Sequence, residues 1–150
     1  MSARRKFTGP PNRYKGPQHS RIVARLNFER GAKSQIPNLR GEKVKGGYEY
    51  RATVPVPHYE ARKIHIRFSS KSDVPSVFTD GPQDSPHRYS DGRLCMWYPG
   101  DPIDRRWVFE DGLIHLIGLV ITHLFREAWW RETGEWLGEE VPHDPGQGKD

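Results

Sequence analysis

The strongest constraint on the fold is a long apolar segment in the last third of the chain, whose residues recur at helical spacing. Successive apolar residues lie three or four positions apart, which places them on one side of an α-helix. A stripe this wide is suited to lying across a sheet. The residues are Leu113, Leu116, Ile117, Val120, Ile121, Leu124, Phe125 and Ala128.

The same segment, residues 113–130, is the most apolar of the chain, but it is interrupted by polar side chains. They are His115, His123, Arg126 and Glu127. A membrane-spanning helix needs about 20 apolar residues and does not readily tolerate such interruptions. We therefore predict a buried helix and no membrane span. Asp104 or Asp111 is expected to cap its start, and Gly134 is expected to end it.

Four shorter segments alternate apolar and polar residues, as half-buried β-strands do. Short connections between such strands favour an antiparallel meander with one face in water. One sheet with a helix packed on it predicts an α+β layer. Between the first two strands, residues 29–47 are interpreted as a long polar connection. The predicted strands are residues 22–28, 48–56, 64–68 and 74–79.

The chain is long enough for one domain with its own core. We expect a flexible basic arm at residues 1–20, a single domain at 21–143 and a flexible acidic tail at 144–150. The net charge is +5. The basic arm suits nucleic acid, an acidic protein surface or a solvated solubilising role, and the sequence leaves these open.

The chain contains one cysteine, so no internal disulfide can form. That composition favours a cytoplasmic protein. The charged N-terminus is followed by no apolar segment, and a secretory signal is therefore not expected.

The single cysteine, Cys95, lies in the long irregular stretch "HRYSDGRLCMWYPGD", residues 87–101. The turn built by residues 90–93 is expected to expose its thiol, and the cation of Arg93 is expected to favour the thiolate. The competing interpretation is an inert, buried cysteine, because an unpaired cysteine is among the most frequently buried residues.

The sequence contains no motif typical of a metal site or of a nucleotide-cofactor site. Seven histidines and one cysteine contain no spacing typical of metal sites. His115 and His123 are two helical turns apart, too far to share an ion directly. Gly46 and Gly47 lack the residues of a phosphate-binding loop and indicate a turn. We predict no metal and no cofactor.

The segment from His87 through Tyr89 to Leu94 and Cys95 resembles the active-site loop of ubiquitin-conjugating (E2) enzymes. The fuller resemblance is to the bacterial E2-like proteins of antiphage (CBASS) operons. It includes Tyr98-Pro99, Trp107 and the segment "WWRETGEWLGEEVPH", residues 129–143. The resemblance covers roughly residues 21–143 and implies the UBC-like fold, with the Cys-bearing loop between the four-stranded meander and the long helix.

The resemblance implies a transferase in which Cys95 forms a thioester with the C-terminus of a partner, a cGAS/DncV-like nucleotidyltransferase (CD-NTase). The acyl group then passes to an amine of a target protein. Activation comes from a separate E1 or is not required. The implied catalytic residues are Cys95, His87 and Tyr89, with His87 bracing the loop. The candidate substrate-binding residues are Arg93, Trp97 and Tyr98. Trp97 and Tyr98 either form the groove that receives the partner's tail or fill space beneath the loop.

This chain departs from eukaryotic E2 enzymes in two ways. The asparagine of their His-Pro-Asn motif is missing, so Tyr89 or backbone N–H groups near Cys95 are the candidates for stabilising an oxyanion. No N-terminal helix is evident in the Pro/Gly-rich head. The missing asparagine keeps open a non-catalytic E2-fold scaffold for the same partner. A nucleic-acid-binding module that uses the basic arm ranks last, because no known binding motif accompanies it.

Overall fold

The computed structural model describes residues 18–72, 74–97 and 101–138. Two short 3-10 turns, Ile103–Arg105 and Phe109–Asp111, precede the last helix. In chain order the helices and strands are α1 (Gln18–Phe28), α2 (Ala32–Gln35), β1 (Arg40–Val44), β2 (Gly47–Val56), β3 (Tyr59–Ser69), β4 (Ser76–Thr79) and α3 (Leu113–Thr133).

The four strands form one antiparallel sheet in the order β1-β2-β3-β4, a meander. Its side chains alternate as predicted: in β2, Tyr50 and Val54 are fully buried while Arg51 and Thr53 face outward. Tyr50 lies opposite Ile66 of β3, so the inner faces of neighbouring strands coincide. The predicted α+β, UBC-like architecture is confirmed.

The long helix α3 closes the inner face of the sheet. Five of its apolar side chains have no exposed surface, and burial of such side chains stabilises the fold by about 1.5–3 kcal/mol each. The predicted buried helix is therefore confirmed. No helix of the described ranges is both long and apolar enough to cross a membrane. The five residues are Leu113, Leu116, Ile117, Val120 and Leu124.

The predicted end of α3 is confirmed, but its predicted start is wrong. Gly134 is left-handed, with φ 83°, and its N–H donates to the carbonyl of Trp130 at 2.7 Å. The N-cap is Gly112 rather than Asp104 or Asp111. The Asp111 carboxylate instead accepts the N–H of Val108 at 3.0 Å, inside the preceding 3-10 turn.

The predicted first strand, residues 22–28, is wrong, because these residues belong to α1. Apolar residues at alternate positions suggested a strand, yet Ile22 and Leu26 are exposed. Only Phe28 is buried, and it stacks on Phe109 with ring centroids 4.5 Å apart. Besides Phe28, Arg25 contacts the sheet, with its guanidinium 5.5 Å from the centre of the Tyr48 ring. The apolar residues at 22 and 26 therefore form no core-facing stripe. An N-terminal helix does precede the sheet.

The first strand of the sheet lies in the segment expected to be a polar connection. That segment also contains α2. β1 is almost wholly exposed, so it has no burial pattern for the sequence to display. It is held by pairing with β2 across a turn in which Gly46 has φ 81°. The predicted strands 48–56, 64–68 and 74–79 correspond to β2, β3 and β4.

The predicted arm and tail fall almost entirely outside the described residues. Only residues 18–20 of the arm are described, and they begin α1. Both segments remain predictions.

Candidate active site

The predicted catalytic segment folds into a short β-hairpin, residues 87–95, which we call the Cys95 hairpin. Arg88 and Leu94 form an antiparallel bridge. On either side of it, the N–H of Tyr89 donates to the carbonyl of Arg93 at 2.9 Å, and the N–H of Cys95 donates to the carbonyl of His87 at 3.0 Å. The turn closes at Gly92, whose φ of 93° favours glycine.

The Cys95 hairpin is joined to the open edge of β4. The N–H of Leu94 donates to the carbonyl of Val77 at 3.0 Å, and both side chains lie in the core. The backbone that carries Cys95 is therefore an extension of the sheet rather than a separate loop.

The Cys95 thiol is buried, with 1% of the residue exposed. The expectation that the turn would expose it is wrong. Ser90 and Asp91 at the tip are exposed, but the returning strand brings Leu94 and Cys95 back into the interior. The sulfur lies 3.9 Å from the carbonyl oxygen of Trp97, toward which the thiol donates a weak hydrogen bond.

The environment of the thiol favours its protonated form. Burial raises the pKa of Cys95, whereas a hydrogen bond from Tyr89 and the positive charge of Arg93 act in the opposite direction. The predicted effect of Arg93 therefore has the expected sign, but it is outweighed by desolvation. In this conformation Cys95 is a sheltered thiol at neutral pH.

Tyr89 and Arg93 lie together beside the cysteine. The half-buried Tyr89 hydroxyl is hydrogen-bonded to the Cys95 sulfur, and burial raises the pKa of Tyr89, so it is a neutral donor. The Arg93 guanidinium lies 4.4 Å from the centre of the Tyr89 ring, in cation–π geometry. Its Nε is 2.9 Å from a carboxylate oxygen of Asp91. The structure thus brings three predicted site residues together.

His87 contributes through its backbone and its ring. Its carbonyl oxygen holds the N–H of Cys95, and its buried ring packs on Trp136 with centroids 4.2 Å apart. The Trp136 ring also packs edge-on against the ring of His123, with ring centroids 5.4 Å apart. The position of His87 fits the bracing role that the resemblance implies. His143, the last residue of the segment that carries the resemblance, lies outside the described residues.

The two remaining predicted substrate contacts differ. Trp97 is 8% exposed and belongs to the core, which favours a packing role over a groove wall. Tyr98 lies outside the described residues. Substrate binding by both stays a prediction.

A buried charged cluster behind the hairpin was missed by the sequence analysis. Arg88 makes a double hydrogen bond with the Glu127 carboxylate of α3, with both N–O distances 2.8 Å. Glu127 is fully buried, and Arg88 is 7% exposed. The signal was present: Glu127 continues the apolar stripe of α3 three residues after Leu124. A charged residue at such a position requires partners.

Electrostatics keep Glu127 ionised despite its position. Burial alone raises the pKa of its carboxyl, but hydrogen bonds and charge attraction from Arg88 and His123 lower it to about 2. The Nε2 atom of His123 lies 3.5 Å from the carboxylate, and Nη2 of Arg131 lies 3.3 Å away. The cluster is therefore an internal ion pair with two flanking donors.

Two cavities lie on the outer face of the sheet. The described ranges contain no group of three residues that could hold a metal ion. The larger, about 630 Å³, extends from the β1–β2 turn to Asp91 and Arg93 at the tip of the Cys95 hairpin. Cys95 lines neither cavity.

Comparison with known proteins adds one match. A family model described as "Type II CBASS E2 protein" matches residues 29–144, more than half of the chain. No curated protein and no solved structure matches significantly. The matched range contains the sheet, the Cys95 hairpin and α3.

Proposed function

The chain belongs to the E2 proteins of type II CBASS, and we propose that it acts in this antiphage system as a cysteine acyl carrier and transferase. Cys95 accepts the C-terminal acyl group of a CD-NTase partner as a thioester and passes it to an amine of a target protein. The observation that carries the proposal is that one hairpin at the sheet edge of a UBC-like fold holds Cys95 together with Tyr89 and Arg93.

The chemistry proceeds in two acyl-transfer steps. In the first, the Cys95 thiol gives up its proton, to water or to the leaving group, as the sulfur forms a bond to the carbonyl carbon of the partner's tail. The bond to the leaving group breaks, and the leaving group departs with its electron pair. That leaving group comes from a separate E1 or is the amine of an existing peptide bond. In the second step an amine attacks the thioester carbon, the C–S bond breaks and the Cys95 thiolate is released. The amine loses a proton as the amide forms.

Tyr89 supplies a hydrogen-bond donor in place of the missing asparagine. Its pKa is raised, so the hydroxyl keeps its proton at neutral pH and can donate to an oxyanion that develops beside Cys95. Arg93, over the Tyr89 ring, adds positive charge at the same place. These roles depend on the sulfur and the hydroxyl staying adjacent.

The burial of Cys95 adds a requirement to the proposal. A nucleophile must come within about 3–3.5 Å of the carbon that it attacks, and a residue with 1% exposure cannot do so without movement. Docking of the partner's tail therefore has to uncover the sulfur before the first step.

The direct test is to incubate the protein with the CD-NTase encoded beside it, with and without an E1 and ATP, and to measure intact masses. We expect an adduct at Cys95 that neutral hydroxylamine cleaves, since hydroxylamine cleaves thioesters but not disulfides. Cys95→Ala should form none, and Cys95→Ser should form a hydroxylamine-stable ester. The proposal fails if wild type and Cys95→Ala give the same products under every condition.

A non-catalytic scaffold is the second candidate, and the covered thiol with a raised pKa favours it. In that case the E2 fold binds the CD-NTase without exchanging an acyl group. Cys95→Ala would then keep both the complex and full protection of cells against phage.

A further inference from the structure

We propose that Glu127 is a positioning residue for Cys95, acting through Arg88 and His123. The effect on acyl transfer rests on the proposed function. The effect on the accessibility of the Cys95 thiol does not. Glu127 lies on α3, and two chains of polar contacts lead from its buried carboxylate to the Cys95 hairpin. One ends at the carbonyl of Gly92 and the other at the backbone N–H of Cys95.

The first route runs through Arg88. Its Nε and Nη2 atoms bind the two carboxylate oxygens of Glu127 in parallel, each at 2.8 Å. Its Nη1 donates to the carbonyl of Gly92 at 3.0 Å, and Nη2 also donates to Oγ1 of Thr79 at 2.8 Å. One guanidinium therefore ties α3, β4 and the turn of the Cys95 hairpin together.

The second route runs through His123. Its Nε2 atom lies 3.5 Å from the Glu127 carboxylate and 3.2 Å from the carbonyl oxygen of His87. That same carbonyl accepts the N–H of Cys95 at 3.0 Å. With the proton on Nε2, His123 donates to the oxygen that fixes the backbone of Cys95.

The geometry of these contacts suits them to positioning the Cys95 hairpin. A planar guanidinium bound by two parallel bonds to a carboxylate is fixed in both distance and orientation. Because Arg88 is itself a hairpin residue, its orientation sets that of the hairpin. Without the carboxylate, Arg88 would lose the two parallel bonds that fix its orientation, and the hairpin that carries it would open more readily.

A matched control is provided by Arg62 of β3. It is also a buried arginine, 8% exposed, and it donates to the carbonyls of Asp80 and Pro82 and to Oγ1 of Thr79. Among the described residues, all its hydrogen-bond partners lie outside the Cys95 hairpin. Loss of this arginine should disturb the fold near β4 without releasing the thiol.

The test measures two rates in wild type, Glu127→Gln and Arg62→Met. Alkylation of Cys95 by iodoacetamide should be at least about tenfold faster in Glu127→Gln, because the hairpin opens locally. Formation of the CD-NTase adduct at saturating partner should fall about 10- to 100-fold, with the affinity of the complex unchanged. Arg62→Met should alkylate within about twofold of wild type, because Arg62 shares only the Thr79 hydroxyl with Arg88 and donates no hydrogen bond to the Cys95 hairpin in the described part of the chain. Equal alkylation in all three proteins would overturn the inference.

A double variant, Arg88→Met with Glu127→Leu, guards against simple unfolding. It leaves no buried unpaired charge and should fold stably, yet it lacks the donors to Gly92. We expect fast alkylation and slow adduct formation in it. Wild-type values for both rates would reduce the pair to a structural role and reject positioning. If wild type itself forms no adduct, the proposed function fails, while the alkylation rates still decide the inference.

Discussion

The two ends of α3 pack on the rest of the molecule by different kinds of contact. Near its start, Leu113, Leu116 and Ile117 are fully buried against the sheet and its neighbours. Near its end, Glu127 and Arg131 make ionic hydrogen bonds to the Cys95 hairpin and to Asp84. Apolar contacts are non-directional, whereas charged pairs require defined geometry. One helix thus provides stability at one end and orientation at the other.

The largest expected effect comes from removing one charge at the polar end. Glu127→Leu should lower the free energy of unfolding by about 3–5 kcal/mol, because Arg88 is left buried without its carboxylate. Denaturant unfolding followed by tryptophan fluorescence measures the change. Adding Arg88→Met should recover most of the loss, and failure to recover it would show that the cavity, not the charge, dominates.

The next effect is a pH dependence confined to the polar end. The pKa of Glu127 is lowered from 4.5 to about 2 in the folded protein. Its contribution is therefore fully present above pH 4.5 and is lost as the pH falls toward 2; it amounts to about 3 kcal/mol. The groups that face it are Arg88, His123 and Arg131.

The measurement is the difference in unfolding free energy between wild type and the Arg88→Met, Glu127→Leu double variant. This difference cancels the contributions of the other carboxylates. Between pH 4.5 and 2, wild type should lose stability relative to the double variant. A constant difference across that range would contradict the assignment of the ionised state to Glu127.

A conservative change at the apolar end should have a smaller effect. Leu116→Met keeps the volume and character of a fully buried side chain, so we expect a loss below about 1.5 kcal/mol. By contrast Glu127→Gln, which is also close in volume, should be far more damaging because its geometry and charge matter. Thermal unfolding of the two variants side by side tests the comparison. Equal losses would contradict it.

The smallest expected effect concerns the acidity of the thiol. Tyr89→Phe removes the hydrogen bond that opposes the effect of burial, so the pKa of Cys95 should rise further. A higher pKa means less thiolate at neutral pH. The pH profile of Cys95 alkylation should shift to higher pH, and Arg93→Ala should shift it in the same direction by less. A shift to lower pH in either variant would contradict these contacts.

Where the sequence predicted the structure, the residues had a strong periodic pattern. The stripe of α3 and the alternation in β2 reflect burial of one face, which is visible in the chain itself. β1 has no such pattern because it is exposed on both faces and depends on pairing. α1 carries apolar residues that stay exposed, so its alternation was misleading.

The sequence predicted which segment forms the candidate site, but not the burial and the long-range contacts of its residues. The hairpin brings Cys95, Tyr89 and Arg93 together, as the resemblance implied. Its burial depends on Leu94 joining β4 through Val77, a long-range contact that no local pattern encodes. The pairing of Arg88 with Glu127, 39 residues apart, is of the same kind. Such contacts arise only once the helix and the sheet have packed.

The sheltered position of Cys95 also affects its chemical lifetime. Oxidants convert accessible thiolates into sulfenic and then higher acids, and susceptibility follows thiolate character and exposure. A protonated sulfur with 1% exposure escapes most of this chemistry. The protein's single cysteine is thereby less open to oxidation than a thiolate at the surface would be.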